Sequence, residues 1–133
     1  MIDKTKFPKA YAIEQHRRMW EWIAHRYQSN SFPKGVASKV RSFDAKYQYL
    51  KYCTDIPYNL VPKNYCFLCE YVLEHGQEDC GGINCLLCWN TEDNSCIGDN
   101  SYYVQLDSPD LSCEERAKLC MKIANLPVNE RMI

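Results

Sequence analysis

The sequence is poor in histidine, with three in 133 residues. It has no H-E-x-x-H pair, no H-x-E followed by P-C-x-x-C, and no phosphate-cradling P-loop. Those absences remove the usual signatures of zinc peptidases, zinc deaminases and nucleotide hydrolases. No apolar run reaches the roughly 18 residues that a membrane-crossing helix needs. The first residues, Met1-Ile-Asp-Lys-Thr-Lys-Phe-Pro8, lack the apolar core of a secretory leader, so a reducing cytosol is the expected compartment. There is no low-complexity segment and no internal repeat beyond one cysteine motif.

What is abundant is cysteine. Nine occur, an odd number that leaves at least one unpaired under any disulfide scheme. In a reducing compartment such density argues for metal over disulfides. Cys66-Phe-Leu-Cys69 and Cys85-Leu-Leu-Cys88 are two C-x-x-C pairs, and residues 70–84, 15 in all, separate them. Each pair in a tight turn aims two thiolates at one point, and two pairs give a tetrahedron around one zinc. Thiolate softness favours zinc or an iron–sulfur cluster, and no cysteine run has ferredoxin-like spacing. Cys80 competes with Cys88 for the fourth position, His75 is a weaker candidate, and Gly81-Gly82 allows a tight return between Cys80 and Cys85. The expected metal ligands are therefore four among Cys66, Cys69, Cys80, Cys85 and Cys88, holding a structural zinc. The blander alternatives are disulfides or buried free thiols.

Charge is divided unevenly. Residues 1–52 hold 11 Lys/Arg against 4 Asp/Glu, or +7, and residues 53–133 hold 5 against 13, or −8, for a net −1. The basic half could meet nucleic acid or an acidic protein face, or it could be balanced within the chain.

Three helices are expected. The first runs from about Ala10 to Gln28, because Ala12, His16, Met19, Trp20, Ile23 and Tyr27 recur at three- and four-residue steps. Trp20 and Trp22 point to different sides, one inward and one toward the cysteine module or a partner. His16 lies on the apolar stripe, where a satisfied core histidine is the commoner case. The second helix spans roughly Ala37 to Lys51. Its Lys39, Arg41, Lys46 and Lys51 interleave with Phe43, Tyr47, Tyr49 and Tyr52, a pattern of nucleic-acid surfaces but more often of a solvated amphipathic face. The third opens with the capping box Ser112-Cys-Glu-Glu115 and stops before Pro127. Ala117, Cys120, Ile123 and Ala124 should face inward, with Cys113 and Cys53 as small hydrophobes. Tyr102 to Leu106 reads as a brief strand. Trp89 should pack over the metal loops.

The order His16-Arg-Arg-Met-Trp-Glu-Trp-Ile-Ala24, Asp55-Ile-Pro57, Asn64-Tyr-Cys-Phe-Leu-Cys-Glu-Tyr71, a cysteine-rich turn with Trp89, and Ile123-Ala-Asn-Leu-Pro127 resembles small cysteine-rich, zinc-knuckle-like proteins encoded by phages and prophages of Gram-positive bacteria. In that group the second Cys pair is followed by Pro and then, after two more residues, by Trp. That register makes Cys85 and Cys80 ligands, Leu86 the replacement of the Pro, and Cys88 an extra. The resemblance implies a phage accessory protein in a bacterial cytoplasm and brings no established activity.

The combined expectation is an α+β, mainly helical single domain over 1–133. N- and C-terminal helices pack on a zinc-bound loop module with at most short strands. Residues 1–52 form the basic helical part, 53–100 the zinc module, and 101–133 a short strand and the last helix. The expected function is non-enzymatic: inhibition of a host defence complex, anti-CRISPR or other, by protein–protein contact. Arg17, Arg18, Trp22, Lys39, Arg41 and Lys46 are the candidate partner-binding residues. A nucleic-acid-binding zinc module is the alternative. A small hydrolase using His16, His25 or His75 and a signal-molecule sponge are weaker ones.

Overall fold

Helix α1 (Lys9–Ser29) forms because one stripe of its surface is mainly apolar, and that stripe is buried. Ala12, Met19, Trp20, Ile23, Ala24 and Tyr27 are all 3 % exposed or less. The chain is described here by a computed structural model covering residues 9–52, 67–68, 87–90, 101–108 and 110–128. α1 ends in a Schellman turn. Asn30 adopts φ +53, its amide donates to Tyr27 O at 3.2 Å, and the Ser31 amide donates to Arg26 O at 3.1 Å. Asn tolerates this left-handed conformation better than other residues with a side chain, and the two bonds satisfy carbonyls that the helix end leaves open. The turn folds Phe32 back against Tyr27 and Trp22, with ring centroids 4.8 and 6.1 Å apart.

A 3-10 turn (Ala37–Lys39) and helix α2 (Ser42–Tyr52) follow. The single helix expected over Ala37 to Lys51 is thus broken at Val40, which is extended (φ −80, ψ 122). The break has a tertiary cause. Val40 O accepts the Tyr27 hydroxyl, and Asp107 accepts from the Ser42 amide (3.0 Å) and the Ser42 hydroxyl (2.9 Å). The carboxylate caps α2 from a distant part of the chain, supplying an acceptor to an otherwise orphaned helix-start donor.

Tyr102 to Leu106 is helix α3, not a strand. Ser101 caps it, its hydroxyl accepting from the Val104 amide at 3.1 Å. Five residues are too few for apolar spacing to separate the two periods, so the cap is the deciding signal. Helix α4 (Cys113–Ala124) has the expected capping box, with Glu115 N donating to Ser112 Oγ at 3.1 Å and Ser112 N to Glu115 Oε1 at 2.9 Å. Hydrogen bonding to its carboxylate from the Ser112 amide, and then from the Ser112 hydroxyl, holds the exposed Glu115 carboxyl below the usual glutamate range. Ala117, Cys120, Ile123 and Ala124 are buried, as their spacing predicts. Burial pushes the Cys120 thiol well above the ordinary cysteine range.

The core is the seam between α1 and α4, closed on one side by α3 and on another by α2. Four helices and no sheet are present among the described residues, so the molecule is mainly helical. An isolated antiparallel bridge pairs Leu87 with Val128. The terminal helices pack on each other directly. From the middle of the chain, Phe67, Leu68 and Leu87 enter the same core, each 1 % exposed or less. The remainder of the expected 53–100 module lies outside the described residues.

Candidate functional site

The expected zinc is corrected. Among the described residues no group of three or more His, Cys, Asp or Glu is placed to hold a metal ion. Cys88 is the one described member of Cys66, Cys69, Cys80, Cys85 and Cys88. It is a free thiol whose Sγ lies 3.8 Å from Val128 O, and its amide donates to Pro127 O at 2.8 Å. Its position ties the middle of the chain to the segment after α4. Cys53, Cys66, Cys69, His75, Cys80, Cys85 and Cys96 lie outside the described residues.

His16 is a core residue, 3 % exposed. Its Nε2 donates to Ile123 O at 3.0 Å, and its ring packs beside Trp20 (6.5 Å) and edge-on to Trp89 (6.4 Å). Trp89 therefore packs over the α1–α4 seam. Arg17, expected at a partner surface, is half-buried and donates from Nη2 to Leu126 O at 3.0 Å. Donors from α1 thus serve carbonyls at the end of α4, where a helix leaves acceptors open and favours positive charge.

Lys46 is also withdrawn from the candidate surface. It is 9 % exposed, its Nζ donates to Tyr103 Oη at 2.9 Å, and the ammonium sits 4.7 Å from the Tyr103 ring centre. Trp22 is half-buried between Phe32 and Tyr49, with the Arg26 guanidinium 4.9 Å above its ring. Arg18 and Lys39 are exposed. Arg41 is exposed at the α2 entrance, where Nη1 reaches Asp107 O at 3.3 Å.

With Ala45, Lys46 and Tyr49 turned inward, the opposite face of α2 carries Phe43, Tyr47 and Lys51 at four-residue steps. Phe43 is 57 % exposed and Tyr47 43 %. The Lys51 ammonium lies 5.8 Å from the Tyr47 ring centre and 5.7 Å from that of Tyr52. Asp44 and Gln48 of the same helix line a hollow of about 250 Å³ together with Lys34, Val36, Lys39 and Val40. Gln48 holds its rim. Its Oε1 accepts from the Lys34 amide (2.9 Å) and its Nε2 donates to Lys34 O (2.8 Å). Gly35 turns the rim with φ +87, a conformation that strains any residue carrying a Cβ. Lys34, Val36 and Gln48 carry no sequence motif, and only the fold shows that they line one hollow.

Comparison of the chain with family models, with curated proteins and with solved structures finds no match in any of the three. Among the described residues, no helix is long and apolar enough to cross a membrane.

Proposed function

We propose that this chain is a non-enzymatic binding protein that acts by covering the surface of another protein. In the phage setting that the sequence resemblance implies, the partner is a host defence complex in the bacterial cytoplasm, and binding inhibits it. The observation that carries this reading is the row Phe43–Tyr47–Lys51 on the outer side of α2. Phe43 and Tyr47 are exposed on this helix, and aromatic residues are what protein interfaces use as anchors. The division of charge along the chain adds long-range steering toward an acidic partner.

A nucleic-acid-binding reading draws on the same row, since exposed rings can stack on bases while Lys39, Arg41 and Lys51 meet phosphates. Pull-down with tagged protein from host lysate, with and without nuclease, separates the two. Recovery of a host protein that survives nuclease supports the protein-binding reading. Recovery that vanishes with nuclease, and falls steeply with salt, supports the other. If folded, tagged protein recovers no host protein, the inhibitor reading fails.

A further inference from the structure

Helix α4 carries a second face that the α1–α4 seam does not use. Glu114, Lys118 and Lys122 stand at four-residue steps, with Ala117 and Met121 at the three-residue positions between them, so the five share one side of the helix. Arg116, Leu119, Cys120 and Ile123 occupy the other side, in the core. With Gln28 of α1 the five line a hollow of about 350 Å³, and Met121 is 40 % exposed. We propose, independently of the binding reading above, that this face is the two-fold interface of a homodimer, with α4 of one copy antiparallel to α4 of the other.

The first reason is shape. In a two-fold interface residue i meets residue j and j meets i, so one patch must hold both a knob and the hole that receives it. Met121 is a flexible apolar knob, and the recess over the small Ala117 on the same stripe is the hole. A two-fold axis perpendicular to α4, midway between Ala117 and Met121, lays each Met121 on the partner's Ala117.

The second reason is charge. The same rotation brings each Glu114 opposite the partner's Lys122, offset by about two residues or 3 Å along the helix, and it does so twice. The stripe is acidic at its start and basic toward its end, so antiparallel alignment pairs unlike charges where parallel alignment would stack like on like. It also sets the positive end of one helix dipole beside the negative end of the other. A partner of one charge sign, nucleic acid included, would suit the lysines and repel Glu114.

The third reason is that these side chains are free to adjust. The Glu114–Lys118 pair (3.7 Å) is highly exposed, at 76 % and 72 %, and such a pair re-forms around a newcomer at little loss. Glu114 holds Lys118 through Oε2, and its other oxygen meets the partner's Lys122. The two Lys118 ammoniums approach near the axis, each neutralised by its own Glu114. Lys122 already lies over the Tyr102 ring, 5.4 Å from its centre, which reduces the freedom that docking removes.

The test is sedimentation of the full chain. One helix pair covers less than the roughly 1,600 Å² of a standard interface, so the dimer is weak and the concentration series extends to about 1 mM. It should show a monomer–dimer equilibrium. Glu114→Lys alone, or Lys122→Glu alone, puts like charges at both contacts and should weaken the dimer about tenfold or more. An equimolar mixture of the two variants restores unlike charges at both contacts, so association should return to near the native level. Met121→Asp should abolish it by pressing a carboxylate into the hollow, and it decides the matter should a charge reversal disturb folding, which circular dichroism checks. A chain that stays monomeric throughout, species larger than a dimer, or a dimer indifferent to Met121→Asp would overturn the proposal. So would a mixture of folded variants that fails to associate. Capture of a host protein by a monomeric chain, lost in Met121→Asp, would overturn it in favour of that protein as occupant.

Discussion

The α1–α4 seam and the outer face of α2 are built from similar residue types put to opposite use. In the seam, Trp20, Tyr27 and His16 are buried, and the polar atoms of the last two are bonded to backbone carbonyls. On α2, Phe43 and Tyr47 are exposed, and the Lys51 ammonium lies by the Tyr47 ring. The seam shows aromatics as structural mass, where each ring removes apolar area from water and each polar atom must find a partner. The α2 face contributes little to that ledger. Its rings sit where folding leaves them exposed, and such placement is informative because large exposed apolar groups in a row mark contact surfaces.

The contrast can be broken at either end. Ile23→Ala or Ile123→Ala empties a fully buried site in the seam and should cost about 2–5 kcal/mol by urea unfolding. Tyr27→Phe removes the hydroxyl donor to Val40 O while keeping the ring. Leaving a buried carbonyl without that bond should cost about 1–3 kcal/mol. Asp107→Ala removes the cap on α2 and should cost about 0.5–2 kcal/mol, with the helical circular dichroism signal falling in proportion. By contrast Phe43→Ala with Tyr47→Ala should move the unfolding midpoint by no more than about 0.5 kcal/mol per site, as exposed substitutions do, while abolishing partner capture. A large stability loss there would make the α2 face structural after all.

Glu115 supplies a pH-dependent measure of the seam's far end. Its carboxyl is held below the ordinary range in the folded state by the Ser112 amide, and then by the Ser112 hydroxyl, bonding to the carboxylate. The stabilisation is therefore present above the unfolded glutamate value and is lost as pH falls through the lowered folded value. Glu115→Gln should flatten that acid-side decline in unfolding midpoint. A decline of unchanged steepness in the variant would assign it to other groups.

Much of the helical frame was legible. The α1 stripe repeats through five turns, and the Ser112–Glu115 box marks the α4 start within a single turn of sequence. Both signals are local, so no knowledge of the rest of the chain is needed to read them. Where partners are remote, reading failed. The break before α2 is imposed by Asp107, 65 residues from Ser42, and the burial of Lys46 by Tyr103, 57 residues away. Lys46 and Arg17 have the composition of a basic surface, yet each is drawn inward by an acceptor that spacing does not reveal. Alternation over the five residues of Tyr102–Leu106 is a weak strand signal, and the Ser101 cap, also present in the sequence, outweighs it. The zinc expectation rests on C-x-x-C spacing and on the density of cysteine in a reducing compartment. Cys88 instead stands beside Val128, showing that spacing says where thiols lie along the chain and not what each one faces.

Sequence alone thus determined where α4 begins and which stripes of α1 and α4 are apolar, because those properties depend on residues within a turn or two of each other. The tertiary structure alone decided which aromatics and cations remain outside. Exposure is what is left after distant elements have packed, and Phe43, Tyr47 and Lys51 face solvent because Ala45, Lys46 and Tyr49 are taken up by the other side of the same helix.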